Sequence, residues 1–157
     1  MQVTIASRPG PKLDLAQTLE IADLYVSLSE SEPEVQLHTL KKAHPHGFDV
    51  VVEATGAHQV LEDAINYVRK GGKLIVYGVY GEQHKVSWSP SKIWTDEITI
   101  LASFCETLMF DFALAYLESR KVKVDGIVNG VFRIEEWGRC LDAVRKQEVV
   151  KAVIVFD

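Results

Sequence analysis

Two apolar runs with almost no polar interruption, Phe48 to Gly56 (FDVVVEATG) and Gly71 to Gly81 (GGKLIVYGVYG), restrict what this chain can fold into. A strand with one wet face alternates apolar and polar residues, whereas a strand covered on both faces reads as a continuous stretch of Val, Ile and Leu. Between the runs, Val60, Leu61, Ala64, Ile65 and Val68 recur at helical spacing while Glu62, Asp63, Arg69 and Lys70 stay polar. Strand, helix and strand then make a βαβ unit with parallel strands, because parallel neighbours need a long crossover. Gly71 stands where a glycine is expected to end the helix. Both strands stop at small residues, where a ligand can approach the backbone.

The rest of the chain repeats this alternation. Gln2 to Ala6 reads as a strand, stopped by Ser7, Arg8 and the Pro9-Gly10-Pro11 turn, and Leu13, Ala16 and Leu19 then recur at helical spacing. Leu24 to Leu28 reads as a strand and the segment through Leu37 and Leu40 as a short helix broken by His44-Pro45-His46-Gly47. A looping segment rich in Ser and Pro precedes a strand from Ile98 to Phe104, and Phe112 to Leu117 reads as helix. In the tail, a strand from Ile127 to Phe132 and a strand from Ala152 to Phe156 flank a helix from Glu135 to Lys146, with Ile134, Trp137, Leu141 and Val144 on one side. Its acidic start and basic end suit the helix dipole. The fold class is α/β, a mostly parallel sheet with helices on both faces.

Composition narrows the function classes. A length of 157 residues with 47% hydrophobic content suits a globular domain, and a net charge of −5 with scattered lysines argues against a nucleic-acid footprint. Cys105 and Cys140 lie far apart without CxxC spacing, and no basic segment leads into an apolar run at Met1, so a reduced, cytoplasmic setting is expected. No apolar run approaches the ~20 residues a membrane helix needs, so membrane insertion is not expected.

Four segments at consistent spacing carry a resemblance: VEATG with GGKLIVYGVYG, DEITILASF at Asp96 to Phe104, FRIEEW at Phe132 to Trp137, and VVKAVIVF at Val149 to Phe156. From Val3 to Asp157 the chain is similar to the C-terminal part of zinc-dependent medium-chain alcohol and polyol dehydrogenases, and most of all to their D-arabinitol dehydrogenases. The resemblance implies a Rossmann-like fold lacking its first strand and glycine-rich turn. Residues 1–124 would form a partial NAD(P)-binding domain, and 125–157 a strand-helix-strand segment that in the family returns to the catalytic domain. The absent strand is the centre of the usual 3-2-1-4-5-6 order, so two strands lose a ladder partner, and either they pair directly or the chain is fragile.

The site residues follow from the resemblance. An acidic residue at the end of the second Rossmann strand selects NAD; Ser7 stands there, followed by Arg8. A serine removes the carboxylate that would repel a 2′-phosphate and a guanidinium offers bidentate donors to it, so NADP is expected, with NAD as the alternative. Lys12 matches a family lysine near the same ribose. Ala54 and Thr55 match positions lining the adenine, Gly78 and Val79 positions beside the nicotinamide, Ser103 and Phe104 backbone at the carboxamide, and Lys151 a basic residue near the pyrophosphate. Plainer roles compete: a polar strand end for Ser7 and Arg8, a cap for Thr55, a tight turn for Gly78, a solvated Lys151.

No catalytic residue and no metal ligand is expected in this chain. The family's zinc ligands lie upstream of the matching segment; His44 and His46 read as turn chemistry, and His38, His58 and His84 are isolated. The expected role is therefore the cofactor-binding portion of a polyol or alcohol dehydrogenase that transfers hydride, with no alcohol oxidation by this chain alone. The alternative is a non-catalytic chain that associates, as a homo-oligomer, through the sheet edge at Trp88 to Leu101.

Overall fold

The computed structural model describes residues 1–104 and 108–156, so Cys105 and Asp157 lie outside the described residues. The chain divides into two compact units, residues 38–109 and residues 1–37 with 110–157.

The unit 38–109 is built on a parallel three-stranded sheet, β3 (Phe48–Glu53), β4 (Val68–Val76) and β5 (Thr99–Ala102), in the order β3-β4-β5. The two apolar runs predict β3 and β4, although β4 begins and ends earlier than its run, and β5 lies within the strand expected from Ile98 to Phe104. The register aligns Val51, Leu74 and Ile100 across one face and Val52, Ile75 and Leu101 across the other. Helix α3 (His58–Ala64) and the 3-10 turn Ile65–Tyr67 cover the first face, where Leu61, Ala64, Ile65, Val68, Leu74 and Ile98 form the core. On the second face Val50, Val52 and Leu101 stay 47%, 54% and 45% exposed. The expected cover on both faces is thus present on one.

Two local expectations change. The helical stripe stops at Ala64, and by Val68 the chain is in β4, so Gly71 lies inside the strand rather than behind a helix. The cause is a bulge: Phe48 pairs with Val68 but Val50 with Lys73, and the intervening residues loop out with Gly71 at φ 69°. The Ser- and Pro-rich segment, read as a loop, contains helix α4 (Pro90–Thr95). Its start signal was there: the Ser89 hydroxyl accepts from the Lys92 N–H, and Pro90 occupies the first turn, where its missing N–H costs nothing.

In the other unit, β1 (Thr4–Ser7) and β2 (Leu24–Ser27) pair in parallel around helix α1 (Pro11–Thr18), whose Leu13 is buried. Gly10, at φ 137°, turns the chain into α1. Helix α2 (Pro33–Ala43) opens in this unit and ends in the other. Helix α5 is Phe110–Glu118, and β6 (Val128–Arg133) and β7 (Lys151–Val155) form a second parallel pair flanking helix α6 (Trp137–Arg145). The tail helix starts later than expected, after a 3-10 turn at Ile134–Glu136. In α6, Cys140 and Ala143 are buried while Trp137 and Val144 are about half exposed. Lys123 Nζ donates to the Leu19 carbonyl at 2.7 Å, tying the tail to the end of α1.

Among the described residues, β1 pairs with β2 in one sheet and β3 with β4 in another.

Candidate functional site

The site-forming loops leave β3 and β4 at their C-terminal ends, the edge at which open α/β sheets bind ligands. Glu53, the last residue of β3, is 3% exposed although it carries a carboxyl group. Burial of such a group is tolerable only with hydrogen-bond partners, and Glu53 has four. Its Oε1 accepts from the Thr55 N–H at 2.7 Å and from the Thr55 hydroxyl; its Oε2 accepts from the Gly56 N–H at 3.3 Å and from the Tyr80 hydroxyl. Its backbone carbonyl accepts from Tyr77 and Gly78 N–H groups, both at 2.9 Å. One residue therefore fastens the turn after β3 to the turn after β4.

The two turns are in close backbone contact. Gly56 has φ 77°, and a Cβ on it would meet the Val79 carbonyl oxygen at 2.5 Å; a Cβ on Gly78 would meet Gly56 N at 2.5 Å and Glu53 Oε2 at 2.6 Å. Gly78→Ala is therefore expected to destabilise the chain by about 1–3 kcal/mol through overpacking, read as a lower urea midpoint than that of Gly138→Ala, where the added Cβ meets nothing within 4 Å. Equal midpoints would show that the two turns move apart freely.

The structure brings four expected residues together here. Ala54 and Thr55 are exposed on the first turn, Gly78 and Val79 form the second, and Val79 is 91% exposed. The cap expected of Thr55 is not formed: α3 is preceded by Ala57 without a side-chain cap, and the Thr55 hydroxyl instead accepts from the Ala57 N–H at 3.1 Å within the turn. Ser103 and Phe104 follow β5 at the same sheet edge, and Phe104 is 88% exposed. The remaining four belong to the other unit: Ser7 ends β1 and pairs with Ser27, Arg8 and Lys12 are exposed, and Lys151 opens β7. Arg8 holds no ion pair among the described residues, so its guanidinium is available to a phosphate.

Glu53 and Tyr80 are the residues that sequence reasoning missed. The only signal was a glutamate closing an otherwise apolar strand. His58 and His84, read as isolated, stack at 4.6 Å between ring centroids.

Among the described residues, no group of three His, Cys, Asp or Glu side chains is placed to hold a metal ion, so these residues supply no zinc site. Each unit by itself presents polar or open groups to a ligand: open backbone and an apolar side chain at the ends of β3 and β4 in one, and cationic side chains without an ion pair after β1 in the other. No helix of the described residues is long and apolar enough to cross a membrane.

Comparison with known proteins agrees with this geometry. The family model described as zinc-binding dehydrogenase matches residues 1–119. D-arabinitol dehydrogenase 1 of Uromyces fabae is 45% identical over 153 residues, which cover 98% of this chain and 44% of that protein. Erythritol/L-threitol dehydrogenase of Mycolicibacterium smegmatis is 29% identical, over 99% of this chain and 42% of its own. The chain thus spans less than half the length of these curated relatives. Alcohol dehydrogenase TADH from Thermus sp. ATN1 has the same fold over 98% of this chain and 44% of its own, with a TM-score of 0.83 at 22% identity. A zinc-binding dehydrogenase from Sinorhizobium meliloti 1021, bound to NADP, superposes with a TM-score of 0.82 at 20% identity, over 99% of this chain and 45% of its own.

Proposed function

The chain belongs to the zinc-binding dehydrogenase family, and from that premise we propose that it forms the dinucleotide-binding portion of an NADP(H)-dependent polyol or alcohol dehydrogenase. The observation that carries this reading is the pair of strand ends fastened by Glu53, with Ala54, Thr55 and Val79 presented to solvent at the C-terminal edge of a parallel sheet. Ala54 and Thr55 would border the adenine, Gly78 and Val79 the nicotinamide, and Ser103 and Phe104 the carboxamide. Ser7, Arg8 and Lys12 would take the adenosine ribose and its 2′-phosphate, and Lys151 the pyrophosphate. Residues 1–124 act as the partial cofactor domain and 125–157 as a segment returning toward a catalytic domain. The cofactor supplies hydride; the residues here bind and orient it. A polyol of the arabinitol type is the proposed substrate of the intact enzyme, and this chain alone does not oxidise alcohols.

NADPH fluorescence titration tests the reading. Saturable quenching is expected, with NADP(H) preferred to NAD(H). Arg8→Ala is expected to weaken NADPH by about tenfold or more, the usual worth of a hydrogen bond to a charged group, and to leave NADH nearly unchanged. No binding at millimolar NADPH by a folded chain would refute the cofactor role, and an unchanged preference would refute the roles of Ser7 and Arg8. Zinc-dependent turnover of an alcohol by the 157-residue chain would refute its inactivity.

A second reading, self-association along β5, is favoured by the single-sided pairing of that strand and by Leu101 and Trp94, 45% and 78% exposed. Sedimentation velocity across a concentration series decides it.

A further inference from the structure

The starts of β3 and β4, at the end of the sheet remote from Glu53, border a cleft of about 440 Å³, within the range of ~300–1,000 Å³ that small-molecule sites occupy. Phe48 and Glu53 are the two ends of one six-residue strand, which separates this cleft from the strand-end turns by about 17 Å.

Four cations line it, Lys41, Arg69, Lys70 and Lys92, with Asp96 as its one lining carboxylate. Lys92 Nζ lies 2.9 Å and Lys70 Nζ 3.6 Å from the Asp96 carboxylate, so one anion holds two ammonium groups on the same side of the cleft. A hydrogen bond from Lys92, with the charges of Lys92 and Lys70 and against desolvation, holds the Asp96 carboxyl below the usual carboxylate range. Arg69 Nε pairs with Asp49 at 2.6 Å. Four cations against Asp96, Asp49 and the Asp63 carboxylate that faces Tyr67 leave one positive charge, with histidines counted neutral, in a chain whose net charge is −5. Cations gathered in this way repel one another, more strongly where solvent is excluded, and a bound anion would relieve that repulsion.

The walls are built rather than incidental. The His44-Pro45-His46-Gly47 turn lies directly on the backbone of β4: a Cβ on Gly47, at φ 83°, would meet the Tyr67 carbonyl oxygen at 2.7 Å and Arg69 N at 2.8 Å. The His44 ring sits 4.6 Å from Phe48, and Lys41 Nζ 5.5 Å from the centre of the Tyr67 ring. Burial, then the charge and hydrogen bonding of Asp63, push the Tyr67 phenol up to about 12, so the phenol stays neutral while the Asp63 carboxylate stands beside it.

We propose that this cleft is a second anion site, which takes the phosphate or pyrophosphate group of a small phosphorylated molecule. It does not depend on the cofactor reading, since none of its lining residues belongs to the strand-end turns or to Ser7, Arg8 and Lys12.

The test is a backbone amide NMR titration of the full chain with inorganic pyrophosphate. Saturable shifts are expected at His44, Gly47, Arg69 and Lys70, with affinity falling as sodium chloride rises. Lys41→Ala with Lys70→Ala is expected to weaken binding at least tenfold, and Lys85→Ala, outside the cleft, to leave it unchanged. Lys70 is 83% exposed, so Lys70→Glu alone serves as a second variant if the double variant does not fold. Adenosine monophosphate and ribose 5-phosphate then separate the sources: tighter binding of the first assigns a nucleotide, equal binding a generic phosphate ester, and both support the site. Shifts confined to Ser7, Arg8 and the turns at Gly56 and Gly78 would overturn it while leaving the cofactor reading intact. Wild-type affinity in the charge variants, or no saturable shift at all, would also overturn it.

Discussion

Replacing Leu74 by alanine is expected to remove about 2–5 kcal/mol of stability, a large share of the ~5–15 kcal/mol that holds a domain folded. Leu74 is 0% exposed and is the largest fully buried side chain. It stands at the centre of β4, between β3 and β5, and packs into the cluster of Leu61, Ala64, Ile65, Val68 and Ile98. Truncation there leaves a cavity that neighbours on two strands and α3 cannot fill without breaking the ladder. Trp88 offers a probe in the same unit, since it packs against this cluster and its indole N–H donates to the Glu62 carbonyl at 3.1 Å. Urea unfolding followed by tryptophan fluorescence in a Trp94→Phe, Trp137→Phe background, which leaves Trp88 as the one emitter, should show the midpoint falling steeply for Leu74→Ala and shifting little for Val52→Ala, whose side chain lies on the exposed face. Similar midpoints for the two variants would mean that the packed face is not the one that holds the sheet.

Glu53→Ala is expected to cost about 3 kcal/mol, because each buried donor left without an acceptor costs about 1–3 kcal/mol and water reaches the exposed Thr55. Four donors lose their acceptor together: two N–H groups, the Thr55 hydroxyl and the Tyr80 hydroxyl. Glu53→Gln should fall between wild type and Glu53→Ala, since one amide oxygen still accepts while the NH2 group faces other donors. The effect is also local. Amide exchange at Gly56 and Val79 should accelerate in Glu53→Ala well beyond what its global stability predicts, and NADPH affinity should drop with it, because the strand-end turns no longer share an anchor. Leu74→Ala, by contrast, should leave native-state exchange at those turns near the value set by its lower stability. Wild-type protection at Gly56 and Val79 in Glu53→Ala would show that backbone contact alone holds the turns.

The fold was legible where the chain repeats a local period. The unbroken runs at β3 and β4 identified strands covered by helix, and Leu13 with Leu61, Ala64, Ile65 and Val68 of the helical stripe are buried core positions, whereas Val60 of that stripe is 47% exposed. The misread elements share a cause, a local pattern whose phase is set from a distance. Gly71 follows a helical stripe as a cap would, but the pairing of Phe48 with Val68 pulls that segment into the sheet. The stripe of Ile134, Trp137, Leu141 and Val144 reads as an inward face, but packing of α6 on β6 and β7 buries Cys140 and leaves Trp137 about half exposed. Val50 and Val52 have the composition of doubly covered residues, and only their neighbours in space decide that one face is open.

The candidate site divides along the same line. Small residues at the ends of β3 and β4, the Ser7-Arg8 pair and the absence of a metal-ligand pattern are properties of short segments, and they stood in the sequence by itself. The Glu53 anchor joins residues up to 27 positions apart, and the basic cleft gathers Lys41, Lys70 and Lys92 from three separate elements. Neither has a period or a spacing to be read. A hydrogen bond and a cluster of charges depend on distance in space, and the parallel crossover, which carries the chain over a full helix before returning it beside itself, makes those distances independent of separation along the sequence.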